Sequence, residues 1–167
     1  MNLLRTGLLA MALMCLVTSC QKDEDVVSEE TNYTIDLNLA METDWRMADE
    51  ILVLVNEHRA TKNLAPIERD RQHASAFAVD HTFYMIDKKQ INHDNFGIRS
   101  AALKDRGAEV VGENVAFGYD TAEGVVNAWL NSDSHRSIIE GSYTHSGFGV
   151  LTDENGRYYF TQLFYRR

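Results

Sequence analysis

Phe148-Gly149-Val150-Leu151-Thr152-Asp153-Glu154-Asn155-Gly156-Arg157-Tyr158-Tyr159-Phe160-Thr161-Gln162-Leu163-Phe164-Tyr165 places two apolar runs on either side of Asn-Gly. That pair is the strongest short-range hairpin signal, because both residues tolerate positive φ. The stretch predicts an antiparallel hairpin with its turn over 153–156. In the second run one face carries Tyr158, Phe160, Gln162 and Phe164, and the other Tyr159, Thr161, Leu163 and Tyr165. Neither face is cleanly polar, and a strand apolar on both sides is covered on both sides. Helices are the covers. The expected architecture is therefore α+β, a three-layer α-β-α sandwich with an antiparallel sheet built from this hairpin and the Val110–Phe117 segment.

The helices stand upstream. Thr43 or Asp44 offers an N-cap to a run in which Met47, Ile51, Leu54, Val55 and His58 recur at helical spacing, ending near Asn63. After Pro66, the residues Ala74, Phe77, Ala78, His81, Tyr84 and Met85 mark a second helix to about Lys88, with Ala74 and Ala78 small enough for close packing. A polar turn, Gln90–Asn95, leads to a short helix over Ile98–Asp105 that Gly107 ends. A further long helix runs from Thr121 to Ser132 with Val125, Val126, Trp129 and Leu130 on it.

The chain has 167 residues, 44% hydrophobic and 25% charged, with a net charge of −9. That is one domain with an appendage, and no window clusters basic residues among aromatics, so a nucleic-acid partner is not expected. About 150 residues bury roughly two-thirds of the unfolded surface, enough for a core without staples and for a monomeric domain. Two cysteines make no disulfide framework.

Residues 1–19 carry Arg5, an apolar stretch from Leu8 to Val17 and small residues before Cys20, the form of a signal peptide too short for a comfortable span. Leu16-Val17-Thr18-Ser19-Cys20 resembles the lipobox of bacterial lipoproteins, which implies cleavage before an acylated Cys20. Cys15 then leaves with the leader, and cysteine catalysis is excluded. Residues 20–44 read as an acidic tether, too charged at Asp23, Glu24, Asp25, Glu29 and Glu30 to bury much of itself. Lys22 followed by acids also resembles the export signal of surface lipoproteins. Attachment to the membrane would rest on the acyl chains, since the net negative charge disfavours docking to anionic lipid.

Six histidines are present. His58, His73 and His81 fall on expected helices and read as surface or core-edge side chains with satisfied nitrogens. His93, His135 and, in second place, His145 lie at or beyond element ends, where functional side chains concentrate. Between the first two, Glu113 interrupts the apolar run Val111–Ala116, and a buried carboxylate demands a donor or a cation. Spacing does not by itself join His93, Glu113 and His135, which stand about twenty residues apart at each step, far from the local spacings of zinc motifs.

Five stretches in order resemble the CAP superfamily, the cysteine-rich secretory, antigen 5 and pathogenesis-related 1 proteins, in its bacterial branch. Asn56-Glu57-His58-Arg59 looks like the first-helix Asn-x-x-Arg signature. Asn92-His93-Asp94-Asn95-Phe96 resembles the first histidine segment, and Gly112-Glu113-Asn114-Val115-Ala116 the Gly-Glu-Asn signature. Trp129 through Ile139 is similar to the tryptophan-to-histidine motif, and Tyr159–Phe164 to the closing strand. The resemblance spans about residues 45–167.

It implies an α-β-α sandwich and a cleft lined by His93, His135 and Glu113, with Asp133 the one residue near the family's second acidic position. It also implies Zn2+ or another divalent ion on His93 and His135, with Glu113 bonding a histidine or polarising water. The resulting expectation is a lipid-anchored CAP-domain protein, surface-exposed at the bacterial outer membrane, whose cleft binds a metal or a lipid, peptide or protein ligand. Two alternatives stand beside it: a zinc-dependent hydrolase with Glu113 as base, and an adhesive module without cleft chemistry. An enzyme is the less favoured reading.

Overall fold

The computed structural model describes residues 33–167. The expected leader, the lipidation site Cys20 and the acidic segment to residue 32 lie outside the described residues. Asp44 opens helix α1, Trp45–Thr61, by accepting from the Met47 amide, and the stripe Met47, Ile51, Val55 faces the core. Arg59 continues that stripe and is buried. Its guanidinium donates to the carbonyls of Ala65 (2.9 Å), Ile139 (2.7 Å), Gly141 (2.7 Å) and Tyr143 (3.3 Å). Asn56 grips Ile67 through both its carbonyl (3.0 Å) and its amide (2.8 Å). The Asn-x-x-Arg signature is thus a clamp on backbone, satisfying groups that would be costly to bury unpaired.

Clamped Ile67 leads into strand β1, Glu68–Arg69, then helices α2, His73–Lys88, and α3, Phe96–Lys104, strand β2, Val110–Phe117, helices α4, Ala122–Asn131, and α5, Asp133–Ile139, and strands β3, His145–Thr152, and β4, Tyr158–Arg166. The sheet order is β1-β3-β4-β2. The β2–β4 and β3–β4 pairs are antiparallel, whereas β1 runs parallel to β3. The sheet is therefore mixed, not wholly antiparallel. The difference comes from the two-residue β1, which the Asn56 clamp and not a strand-like pattern sets in place.

The expected three layers are present. Phe148, Val150, Phe160 and Phe164 pack with Ile51, Val55, Val125 and Trp129 on one face, and Leu163 and Tyr165 with Ala74, Phe77, Ala78 and Leu103 on the other. Helix α2 lies directly on β3: a Cβ at Gly147 would come within 2.3 Å of the Ala74 carbonyl carbon, and one at Gly149 within 2.3 Å of the Ala78 oxygen. The hairpin ladder closes at Thr152 and Tyr158, so its loop has five residues, 153–157, and not a two-residue Asn-Gly turn. Gly156 has φ +77, and the Asp153 carboxylate accepts from the amides of Asn155 and Arg157 and from the Arg157 guanidinium. Those bonds, the Arg157 amide first, hold Asp153 down to about 2.

At the amino-terminal edge the structure departs from the expected tether. Leu37–Glu42 form a 3-10 helix with Ala40 buried against the domain, and Thr43 is buried as well. Among the described residues no helix is long and apolar enough to cross a membrane.

Candidate functional site

The turn after α2 carries His93, and buried groups hold it from both sides. His81, on the inner face of α2, bonds through Nε2 to the Asn92 carbonyl (2.9 Å), and Arg99 Nη1 donates to the Asp94 carbonyl (2.7 Å). Lys89 and Asn95 take left-handed φ of 52 and 59, and the Tyr84 hydroxyl donates to Asp94 Oδ2 (2.9 Å). Burial first, then the Arg99 charge, holds the His81 imidazole below its ordinary value. His81 therefore stays neutral and donates. It is a satisfied histidine, as its place on the helix suggested, and its bond fixes the backbone beside His93.

Glu113 projects from β2 into the same layer, its side chain only 1% exposed. Arg99 bonds both carboxylate oxygens, Nε to Oε2 and Nη2 to Oε1 (2.8 Å each), and Oε1 also meets His93 Nδ1 (2.8 Å). A carboxylate paired with a guanidinium only accepts, so His93 Nδ1 carries the proton and donates it to Oε1. The His93 side chain is 51% exposed. A buried ion pair thus orients an imidazole that faces water.

His135 arrives from the other layer on α5, whose backbone is tied to the sheet by Asn114 Nδ2 donating to the His135 carbonyl (3.2 Å). No side-chain bond to its ring is found among the described residues. Burial, and secondly the charge of His93, hold its imidazole below the ordinary value, which favours the neutral ring. The structure thus brings His93 and Glu113 into contact and His135 within electrostatic reach of His93. Asp133 is not part of this group: its side chain is 95% exposed and pairs with Arg136. His58 bonds Glu140 (2.8 Å) and His145 stacks on Tyr165, both away from the cleft. Gln162 is buried in the central strand, bonded to Ser146 (3.0 Å), and does not line the cleft.

Arg99 is the residue sequence reasoning missed. It shares the buried face of α3 with Ala102 and Leu103. A cation on an apolar stripe and a carboxylate in an apolar strand are each other's expected partner. A cavity of about 350 Å3 behind the brace includes His81 and Arg99 but none of His93, Glu113 and His135.

Chemically the site offers two imidazoles, one oriented by a carboxylate, the arrangement that fixes direction in metal-ligating histidines. Among the described residues no group of three or more metal-binding side chains converges. The donor set does not fit a closed structural zinc site; two imidazoles would leave the other positions of a divalent ion to water or ligand. Both Glu113 oxygens are engaged, Oε1 by His93 and Arg99 and Oε2 by Arg99, so it acts here as a positioning residue.

A helix-covered sheet with a braced histidine cleft defines the class, and sequence comparison gives the family. The profile of the cysteine-rich secretory protein family, CAP, matches residues 52–164, and the chain belongs to that family. Two Bacillus subtilis proteins are similar: the uncharacterized membrane protein YlbC, 34% identical over 71% of this chain and 34% of that protein, and the uncharacterized protein YkwD, 33% identical over 61% of this chain and 41% of that protein. The chain thus spans less than half the length of either relative. Among solved structures, an outer surface protein of Borrelia burgdorferi superposes with a TM-score of 0.63 at 25% identity, covering 80% of this chain and 96% of that one. An extracellular SCP-domain protein of Bacillus anthracis gives 0.62 at 27% identity, covering 75% of this chain and 44% of that one.

Proposed function

We propose that the protein is a lipid-anchored CAP-domain module of the bacterial envelope, held to the outer membrane by an acylated Cys20, whose cleft binds a divalent ion through His93 Nε2 and the His135 imidazole. The observation that carries the cleft reading is the Arg99–Glu113–His93 brace. Burying an ion pair brings little net stability, and here it holds a water-exposed imidazole through its Nδ1. A bound ion would supply a Lewis acid that polarises an oxygen of an incoming ligand. The anchor reading is supported by the Leu16–Cys20 sequence and by relatives found at the outer surface and outside the cell. A hydrolase with Glu113 as base is disfavoured, because both its oxygens are engaged by Arg99 and His93.

Isothermal titration of zinc chloride into the purified protein near pH 7, beside the His93→Ala/His135→Ala variant, tests the cleft. One-to-one binding at about micromolar strength, lost in the variant, is the expected result. No heat, or equal heat in both, overturns the metal reading and favours an adhesive surface elsewhere. For the anchor, Cys20→Ser is expected to release the protein from the membrane fraction, and its retention there would refute acylation as the attachment.

A further inference from the structure

Behind the brace, the cavity of about 350 Å3 lies between helices α2 and α3 and the segment that leads into the 3-10 helix. Its α2 wall is a single helical face, because Phe77, Asp80, His81 and Tyr84 recur at spacings of three and four residues and all line it. Ile98 and Arg99 border it from α3, and Ile35, Asp36 and Leu39 from the leading segment. The volume is that of a small-molecule site.

The wall has two unlike parts. Ile35, Leu39, Phe77 and Ile98 make one side apolar, and Ile98 is 48% exposed, an aliphatic surface that the fold leaves uncovered. Acceptors make the other. Among the described residues neither Asp36 nor Asp80 forms an ion pair, and the Asp80 carboxylate accepts no hydrogen bond. Asp36 uses Oδ1 on the Asn38 amide and side chain (2.9 Å each), and its Oδ2 has no partner among them. His81 is only 2% exposed. The Asn92 carbonyl can only accept, so His81 Nε2 donates, and burial favours the neutral ring, which leaves Nδ1 an acceptor with no partner among the described residues. Arg99 is the one cationic side chain of the wall, and Glu113 matches its charge. Lys88 stands over the Tyr84 ring (5.6 Å) without lining the cavity. Two unmatched carboxylates and a buried acceptor thus share a cavity with an apolar side.

We infer that this cavity binds a protonated amine with an apolar body, its ammonium group donating to His81 Nδ1 and the Asp80 carboxylate and its hydrocarbon lying on Ile35, Leu39, Phe77 and Ile98. An ammonium brings three donors and a positive charge, and so answers both the buried acceptor and the unmatched carboxylates. An anion would meet two like charges. The site shares no lining residue with His93, Glu113 and His135, and it needs no metal.

The test is a titration of the 15N-labelled protein near pH 7 with n-hexylamine up to about 10 mM. Two controls run beside it: 1-hexanol keeps the body and loses the charge, and hexyltrimethylammonium keeps the charge and loses the donors. Hexylamine is expected to shift the amide signals of Ile35, Phe77, His81 and Ile98 to saturation, and each control to bind about tenfold or more weakly. Asp80 is exposed and bonded to no other side chain among the described residues, so Asp80→Asn should fold as the parent does and bind hexylamine about tenfold more weakly. Nα-acetyl-lysine amide separates the sources of the amine: binding as strong as that of hexylamine assigns a lysine side chain, and weaker binding assigns a free amine. No saturable shift at these residues, equal binding of either control, or unchanged affinity in Asp80→Asn overturns the proposal. The zinc titration reads the histidine cleft separately, so either reading can fail while the other stands.

Discussion

Arg99 carries more of the site than its absence from any motif suggests. Its guanidinium and the Glu113 carboxylate are 5% and 1% exposed, so neither charge has much water to fall back on. Arg99→Met leaves a buried carboxylate without its cation and is expected to cost about 3–5 kcal/mol in urea unfolding. Arg99→Met/Glu113→Leu replaces the pair with apolar volume and is expected to recover most of that loss. The same double variant removes the acceptor of His93 Nδ1, so its zinc affinity should stay about 10- to 100-fold below the parent's. Recovery of both properties together would show the brace to be only structural. His81 and His135 add a pH dependence. Both are held below the ordinary histidine value, burial being the first cause in each case. Below about pH 6.5 the unfolded chain therefore binds more protons than the folded one, and stability falls as pH drops, levelling off once pH lies under the folded values. Urea midpoints between pH 8 and pH 5 check the sign; a midpoint that rises on acidification would contradict it. The Asp153 contribution enters only lower, below about pH 4.

Elements with their own periodicity were legible before any coordinates, and elements that borrow their stability were not. α1 and α2 carry apolar stripes and a cap or small-residue packing, β2 and β4 are runs too apolar for one-sided burial, and all four lie within two residues of where pattern alone puts them. β1 has two residues, Glu68 and Arg69, and no pattern to read; it exists because Asn56 grips Ile67 beside β3. α5 is seven residues long, too short to propagate by itself. Arg136 Nη1 on the Leu130 carbonyl (2.7 Å) and Asn114 on the His135 carbonyl hold it in place. The site divides the same way. His93, Glu113 and His135 were visible as odd residues for their positions, but that His93 meets Glu113 was not, because the two stand on segments about twenty residues apart. Asp133 failed as a cleft residue for a local reason: it opens α5, where its carboxylate meets Arg136 one turn on. The Gly147-Phe148-Gly149 alternation was the overlooked signal. Two glycines on one strand face, each with a helix backbone where a Cβ would sit, mark the place where α2 lies on the sheet.

At the scale of the molecule, the boundary between tether and domain lies earlier than composition suggests. Residues 33–44 belong to the domain's packing. The segment also guards an edge. Thr43 and Asp44 bond the Phe148 and Val150 carbonyls, Asp44 accepts from the Tyr158 hydroxyl (2.9 Å), Trp45 Nε1 donates to the Ala40 carbonyl (3.1 Å), and Ala40 itself is buried. A chain beginning at Asp44 keeps the cap of α1 but loses Thr43 and the 3-10 helix. Its Phe148 carbonyl is then unpaired on a strand that β1 covers for only two residues. Two consequences are expected relative to a chain beginning at Tyr33. Stability in urea should fall by about 1–3 kcal/mol, the cost of a buried acceptor left without its donor together with the lost apolar contact. Self-association should appear in sedimentation and grow with concentration, because the bared β3 edge now offers what the intact fold withholds. A shortened chain that unfolds at the same midpoint and stays monomeric would return residues 33–43 to the tether.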